Sequence, residues 1–153
     1  DGDWESLLRR TGHNFRTLAL DHPHVVPLLV TRPLTTPLAL RPLGTVRPLE
    51  RLLELLIGAG FTPVDALHVY RVFFGYLYGH VLTEVQEIVA EPDETDDVLR
   101  LALHRLPASE FPRLRSLATP LAHYDGEAEL DKGLTVLIGG LHTALMPAPA
   151  SRR

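Results

Sequence analysis

The sequence predicts an all-α protein, and three observations carry that reading. Apolar residues recur at spacings of three and four through each long segment. No segment alternates apolar and polar residues with a period of two. Prolines punctuate the chain between the apolar runs. Trp4, Leu7, Leu8, Phe15 and Leu18 form the apolar side of a first helix. Asp3 caps it, and it ends at Asp21-His22-Pro23 because the residue before a proline is pushed away from helical geometry. Val25 to Val30 fits strand or helix by periodicity alone, and its helical surroundings favour a short helix. Pro33, Pro37 and Pro42 mark an irregular crossing from Thr31 to Gly44. Leu49, Leu52, Leu53 and Leu56 then line a helix that stops at Gly58-Ala59-Gly60.

Gly60-Phe61-Thr62-Pro63 reads as a helix-to-helix corner. Gly60 suits a left-handed residue closing one helix, Thr62 an N-cap and Pro63 the first helical position, and Asp65 lies in the first turn. Phe61 is placed to staple onto the Ala66 and Leu67 turn. The helix that follows, over residues 64–89, is apolar on two sides. Val64, Leu67, Phe74, Leu77, Val81, Val85 and Ile88 make one stripe, and Ala66, Val69, Phe73 and Tyr76 a second about 100° around the axis. Glu91 to Asp97 is an acidic loop. Val98 to Leu106 can form a short helix that Pro107 stops, and Ser109 to Leu117 is broken by Pro112. From Asp125 to about Met146, Leu130, Leu134, Leu137, Leu141 and Leu145 step by four, three, four and four, a helical seam.

A two-sided helix in a small protein needs its own core on one side and another cover on the second, and a partner subunit is the simplest cover. Gly75 and Gly79 on the long helix, and Gly139-Gly140 on the last, predict close approach by other helices. Pairing of both helices with their copies across a two-fold axis makes an intermolecular four-helix bundle. Phe73, Tyr76, Gly79, Leu130, Leu134, Leu137 and Leu141 are the expected interface residues. The alternative for the last helix is packing inside one monomer, since one stripe is what any core helix shows.

Composition narrows the function classes. The 153 residues suit a single domain, and 45% hydrophobic content is ordinary for a globular chain. Cysteine is absent, which excludes disulfides and thiolate metal sites and fits a reducing, cytoplasmic setting. No signal peptide is visible at Asp1, and His68, Arg71 and His80 interrupt the most apolar helix, so no membrane span is expected. A net charge of −4 argues against nucleic-acid binding by this chain alone. None of Ser6, Ser109, Ser116 and Ser151 sits in a Gly-x-Ser-x-Gly turn, and Gly58-Ala59-Gly60 lacks the third glycine and preceding strand of a dinucleotide loop. His80 and Glu84 have the i, i+4 spacing that puts two ligands on one helix face, but no third convergent ligand is apparent. No enzyme activity, metal or cofactor is expected.

In order along the chain, Trp4, Phe15-Arg16, His22-Pro23, Thr31-Arg32-Pro33, Gly60-Phe61, Gly79-x-Val81-Leu82-x-Glu84, Leu106-Pro107, Phe111-Pro112 and Gly133-Leu134 to Gly140-Leu141 resemble the C-terminal domain of tetracycline-repressor-type regulators. The resemblance runs from about Trp4 to about Leu145. It implies an all-helical domain that binds a small effector, dimerises through a four-helix bundle, and controls DNA binding by an N-terminal helix-turn-helix module. No such module precedes Asp1, so residues 1–153 are expected to be one regulatory domain, touching DNA only through that separate module.

The resemblance also places pocket positions. An asparagine of the tetracycline-binding members falls at Thr11, the aromatic after it at Phe15, and a magnesium-linked histidine at Leu28. Thr31, Arg32 and Pro33 keep the Thr-Arg-Pro segment. A drug-contacting glutamine falls at Leu52 and a second histidine at Gly75. The implied pocket is lined by Phe15, Leu28, Leu49, Leu52, Leu67, Tyr70 and Phe74, with polar groups from Thr11, Thr31 and Arg32. Such a pocket suits a mostly hydrophobic effector without metal, bound by the regulatory domain of a repressor. The alternative is a helical dimerisation or scaffold module in which the same leucines are plain core.

Overall fold

The structure, a computed structural model, describes residues 3–26, 43–90 and 96–145. The described residues form seven helices and no strand: α1 (Trp4–Asp21), α2 (Leu43–Gly58), α3 (Pro63–Ala90), α4 (Asp96–Arg105), α5 (Pro112–Ser116), α6 (Ala118–Ala122) and α7 (Gly126–Leu145). Most of the expected crossing from Thr31 to Gly44, most of Val25 to Val30 and the start of the acidic loop lie outside the described residues. So do three predicted pocket residues, Leu28, Thr31 and Arg32.

Local chemistry sets the helix ends. Asp3 caps α1, accepting from the Glu5 amide and the Ser6 hydroxyl at 3.1 Å each. The α2–α3 corner forms as the sequence predicts. Gly60 takes a φ of 107°, and the Phe61 amide reaches back to the Leu56 carbonyl, which satisfies an orphan acceptor of α2. Thr62 caps α3 by accepting from the Asp65 amide at 3.1 Å. Asp125 caps α7 in the same way, accepting from Ala128 at 3.0 Å. Two boundaries differ from expectation. α2 begins at Leu43, so Pro48 lies inside it, and α4 begins at Asp96, inside the expected acidic loop.

α1, α2, α3 and α7 pack on one another, whereas α4, α5 and α6 pack chiefly among themselves. The shared core contains Trp4 and Leu8 of α1, Leu52 and Leu56 of α2, Phe61 of the corner, and one spiralling stripe of α3: Ala66, Val69, Phe73, Leu77, Val81 and Val85. This stripe takes members from both sides predicted for the long helix. Four-residue steps advance the azimuth by about 40° each, so a line of i+4 contacts winds around α3 instead of staying on one face. Val64 is left exposed. Leu18, placed on the apolar side of α1, is exposed as well.

The predicted dimer interface needs correction. Phe73, Leu130 and Leu134 are fully buried within the single chain, and Leu141 nearly so. Together with Ile138 they belong to the inner seam of α7 against α1 and α3. An i, i+4 seam records only that a helix has one covered side, and here the chain's own α1 and α3 cover it. Of the predicted set, Tyr76 and Leu137 are half-buried and Gly79 is exposed. The glycines predicted as close contacts stand open within the chain. A Cβ at Gly75, Gly79, Gly139 or Gly140 meets nothing within 4 Å. The tight approaches are at Gly12, where a Cβ stands 3.1 Å from Leu134 Cδ1, at Gly126 against Glu84, and at Gly133 against the Tyr76 ring.

Candidate functional site

Phe15 on α1 and Tyr70, Phe74 and Tyr78 on α3 form a continuous row of rings. Centroids lie 5.4 Å apart for Phe15 and Tyr78, 5.7 Å for Phe74 and Tyr78, and 5.0 Å for Tyr70 and Phe74, all tilted. All four side chains are half-buried, whereas Phe73, which meets Phe74 edge-on at 5.1 Å, is fully buried and anchors the row to the core. Tilted and edge-on pairs at these separations exploit the ring quadrupole and fix the geometry of an apolar surface. Fixed rings leave a flat molecule little to reorganise when it docks.

The structure brings three of the predicted pocket residues, Phe15, Tyr70 and Phe74, into this row. Leu49, Leu67 and Thr11 are half-buried, and Leu52 is 7% exposed and part of the core cluster. Sequence reasoning passed over Tyr78. The signal was present, because Tyr70, Phe74 and Tyr78 are spaced by four and continue to Leu82. Gly75 is exposed and Leu52 is apolar, so neither position supplies a polar or metal-linked group to the row.

Beside Phe15, Arg16 crosses to Glu84 of α3. Its Nε donates to both carboxylate oxygens, at 3.2 and 3.0 Å, and its Nη2 donates to Oε1 at 2.7 Å. Hydrogen bonding to Glu84 raises the Arg16 pKa above its ordinary value, with the charges of Glu84 and Glu127 adding to it, while burial works the other way. His80, one turn before Glu84, donates from Nε2 to the Gly126 carbonyl at 3.1 Å. The His80 and Glu84 pair considered as metal ligands is therefore committed elsewhere, to Gly126 and to Arg16.

A groove of about 650 Å³ opens between α3 and α7, away from the aromatic row; Tyr76, Gly79, His80, Lys132, Val136 and Leu137 line it. The Tyr76 hydroxyl donates toward the Glu129 and Leu130 carbonyls at 3.4 Å, and burial followed by the nearby Glu129 charge raises its pKa. Val136 is 77% exposed, and Gly139 and Gly140 continue the exposed side of α7. No helix among the described residues is long and apolar enough to cross a membrane.

The family profile described as "Tetracyclin repressor-like, C-terminal domain" matches residues 1–145. Among solved structures, the chain is similar to the Streptomyces coelicolor TetR family protein ActR in complex with actinorhodin. The TM-score is 0.75 at 25% identity, covering 93% of this chain and 65% of that one. ActR in complex with (S)-DNPA and apo ActR each give a TM-score of 0.71 at 25% identity, covering 93% of this chain and 64% of theirs. The chain thus spans about 65% of the length of the solved chains it matches. No curated protein matches it in sequence.

Proposed function

The chain belongs to the family of tetracycline-repressor-like C-terminal domains, and we propose that its aromatic row is the wall of an effector site that controls a DNA-binding module of a cytoplasmic transcriptional repressor. The family supplies transcription regulators and not enzymes, and its C-terminal domain is the regulatory, effector-binding part. The observation that carries the reading for this chain is the half-buried row of Phe15, Tyr70, Phe74 and Tyr78, built from two helices and anchored by a buried ring. A side chain with no structural reason to be half-wet costs hydrophobic stabilisation, and four in contact make a surface suited to an apolar occupant.

The effector is a mostly hydrophobic, aromatic molecule bound without metal. Leu52 and Gly75 stand where the tetracycline-binding members carry polar or metal-linked side chains, so a magnesium chelate finds no anchor there. The similarity to ActR in complex with actinorhodin supports a polycyclic aromatic of the same chemical class. By the resemblance alone, the positions of Thr11, Thr31 and Arg32 are the polar ones that orient the effector, and a guanidinium such as that of Arg32 suits a carboxylate, phenolate or carbonyl.

Thermal shift tests this reading, with actinorhodin and a panel of apolar aromatic compounds in metal-free buffer. Ligand at about 100 times its dissociation constant adds roughly 2.7 kcal/mol to folding, an easily read shift. Phe15→Ala weakens the response. A strict requirement for Mg²⁺, or no shift with any aromatic compound, overturns the reading.

The subunits pair through the outer sides of α3 and α7, around Gly79, Val136, Leu137, Gly139 and Gly140, in an intermolecular four-helix bundle. Glycines with open space above them and a valine that is 77% exposed support this choice of face. Sedimentation at micromolar concentration is expected to show dimers for the wild type and folded monomers for Val136→Glu. Monomeric wild type refutes it. With a net charge of −4, the chain by itself is expected to give no sequence-specific mobility shift with duplex DNA.

A further inference from the structure

Two motifs singled out in the sequence, Phe15-Arg16 and Gly79-x-Val81-Leu82-x-Glu84, meet in space, and of their residues only Phe15 belongs to the aromatic row. Phe15 packs on Tyr78 at 5.4 Å, and its neighbour Arg16 binds Glu84 through three charged hydrogen bonds. Glu84 is 6% exposed and is the buried charged residue among the described ones. Gly126, the first residue of α7, lies against the same carboxylate. A Cβ there would stand 2.5 Å from Glu84 Cδ and 3.0 Å from Oε2, and closer still to Oε1. His80 holds the Gly126 carbonyl at 3.1 Å. Three helices therefore converge on one carboxylate.

Such a junction transmits displacement differently from a greasy contact. Close-packed apolar side chains transmit displacement without a preferred direction, whereas a guanidinium bound to both carboxylate oxygens is directional. Glu84 is too buried to exchange Arg16 for water, so separating the two leaves an uncompensated charge. A shift of α1 that carries Arg16 must carry Glu84 with it. Because Glu84 fills the space over Gly126, the start of α7 moves too.

We propose that the Arg16–Glu84–Gly126 junction couples the aromatic row to the N-terminal turn of α7, with Arg16 and Glu84 acting as positioning residues. Its use in effector response rests on the proposed function. The mechanical coupling can be tested without any ligand.

The test is amide hydrogen exchange on the 153-residue chain in a double-mutant cycle of Phe15→Ala and Arg16→Gln. The reporters are the Ala128 and Glu129 amides, which donate to the Asp125 side chain and carbonyl. Phe15→Ala alone is expected to speed their exchange about fivefold, as for residues in one connected network. With Arg16→Gln already present, the same substitution is expected to change it by less than about 1.5-fold, and Arg16→Lys gives an intermediate result. If Arg16 merely stabilises the fold, Phe15→Ala has the same effect in either background, and the proposal falls. Should Arg16→Gln unfold the chain, Gly126→Ala replaces it, since it keeps both charges but displaces the carboxylate. Additivity with Phe15→Ala there overturns the proposal equally. A chain that shows no thermal shift with actinorhodin or the aromatic panel, yet couples in this cycle, refutes the effector reading and leaves the junction standing.

Discussion

Gly126→Ala should destabilise the protein although alanine is the better helix former. The added methyl would stand 2.5 Å from Glu84 Cδ, while unbonded carbons rest about 3.5–4.0 Å apart, so the carboxyl group must retreat by about 1 Å. A retreat of that size takes the 2.7 Å bond from Arg16 Nη2 out of range. Loss of one hydrogen bond to a charged group costs roughly 1.5–3 kcal/mol, and loss of the whole buried pair roughly 3–5 kcal/mol. The narrower unfolded ensemble of alanine returns about 0.4–1 kcal/mol. The net expectation is a loss of about 2 kcal/mol, or roughly 4–8 °C in Tm for a chain of this size. Urea unfolding followed by circular dichroism measures it. Gly58→Ala is the control, because a Cβ there meets nothing within 4 Å, and it should be as stable as wild type or more stable by up to about 1 kcal/mol. A Gly126→Ala protein as stable as that control would show that Glu84 has room to move and that the three-helix junction is loose.

Leu134→Ala removes a fully buried side chain from the seam against Gly12 and Leu77 and should cost about 2–5 kcal/mol by the same urea assay. Glu84→Gln leaves the Arg16 guanidinium short of its counter-charge. With 18% of the Arg16 side chain still exposed, the expected loss is toward the lower end, about 2–3 kcal/mol at neutral pH. Tyr76 has a raised folded pKa, so its contribution is fully present below the unfolded tyrosine value of about 10 and is lost as pH rises through the folded one. Stability should therefore decline above about pH 10 more steeply in wild type than in Tyr76→Phe; equal slopes would refute the shift.

The legible parts of the sequence are those decided within a turn or two of helix. Asp3, Thr62 and Asp125 cap their helices because the partner amides are two or three residues away. Gly60 closes α2 because only glycine takes its φ of 107° without strain. The α3 part of the aromatic row, Tyr70, Phe74 and Tyr78, is written at four-residue spacing, whereas Phe15 joins it from α1. What the sequence left undecided is which side of each helix turns inward. An apolar stripe states that a helix is covered and not by what, so Phe73, Leu130, Leu134 and Leu141, expected at the interface, are buried within the chain instead. The same holds for the glycines: Gly75, Gly79, Gly139 and Gly140 look like contact points, yet within the chain the close approaches fall at Gly12, Gly126 and Gly133. The pairing of Arg16 with Glu84, 68 positions apart, has no local trace at all. Only the tertiary structure could select it, because a buried charge finds its partner by where the helices cross and not by spacing along the chain.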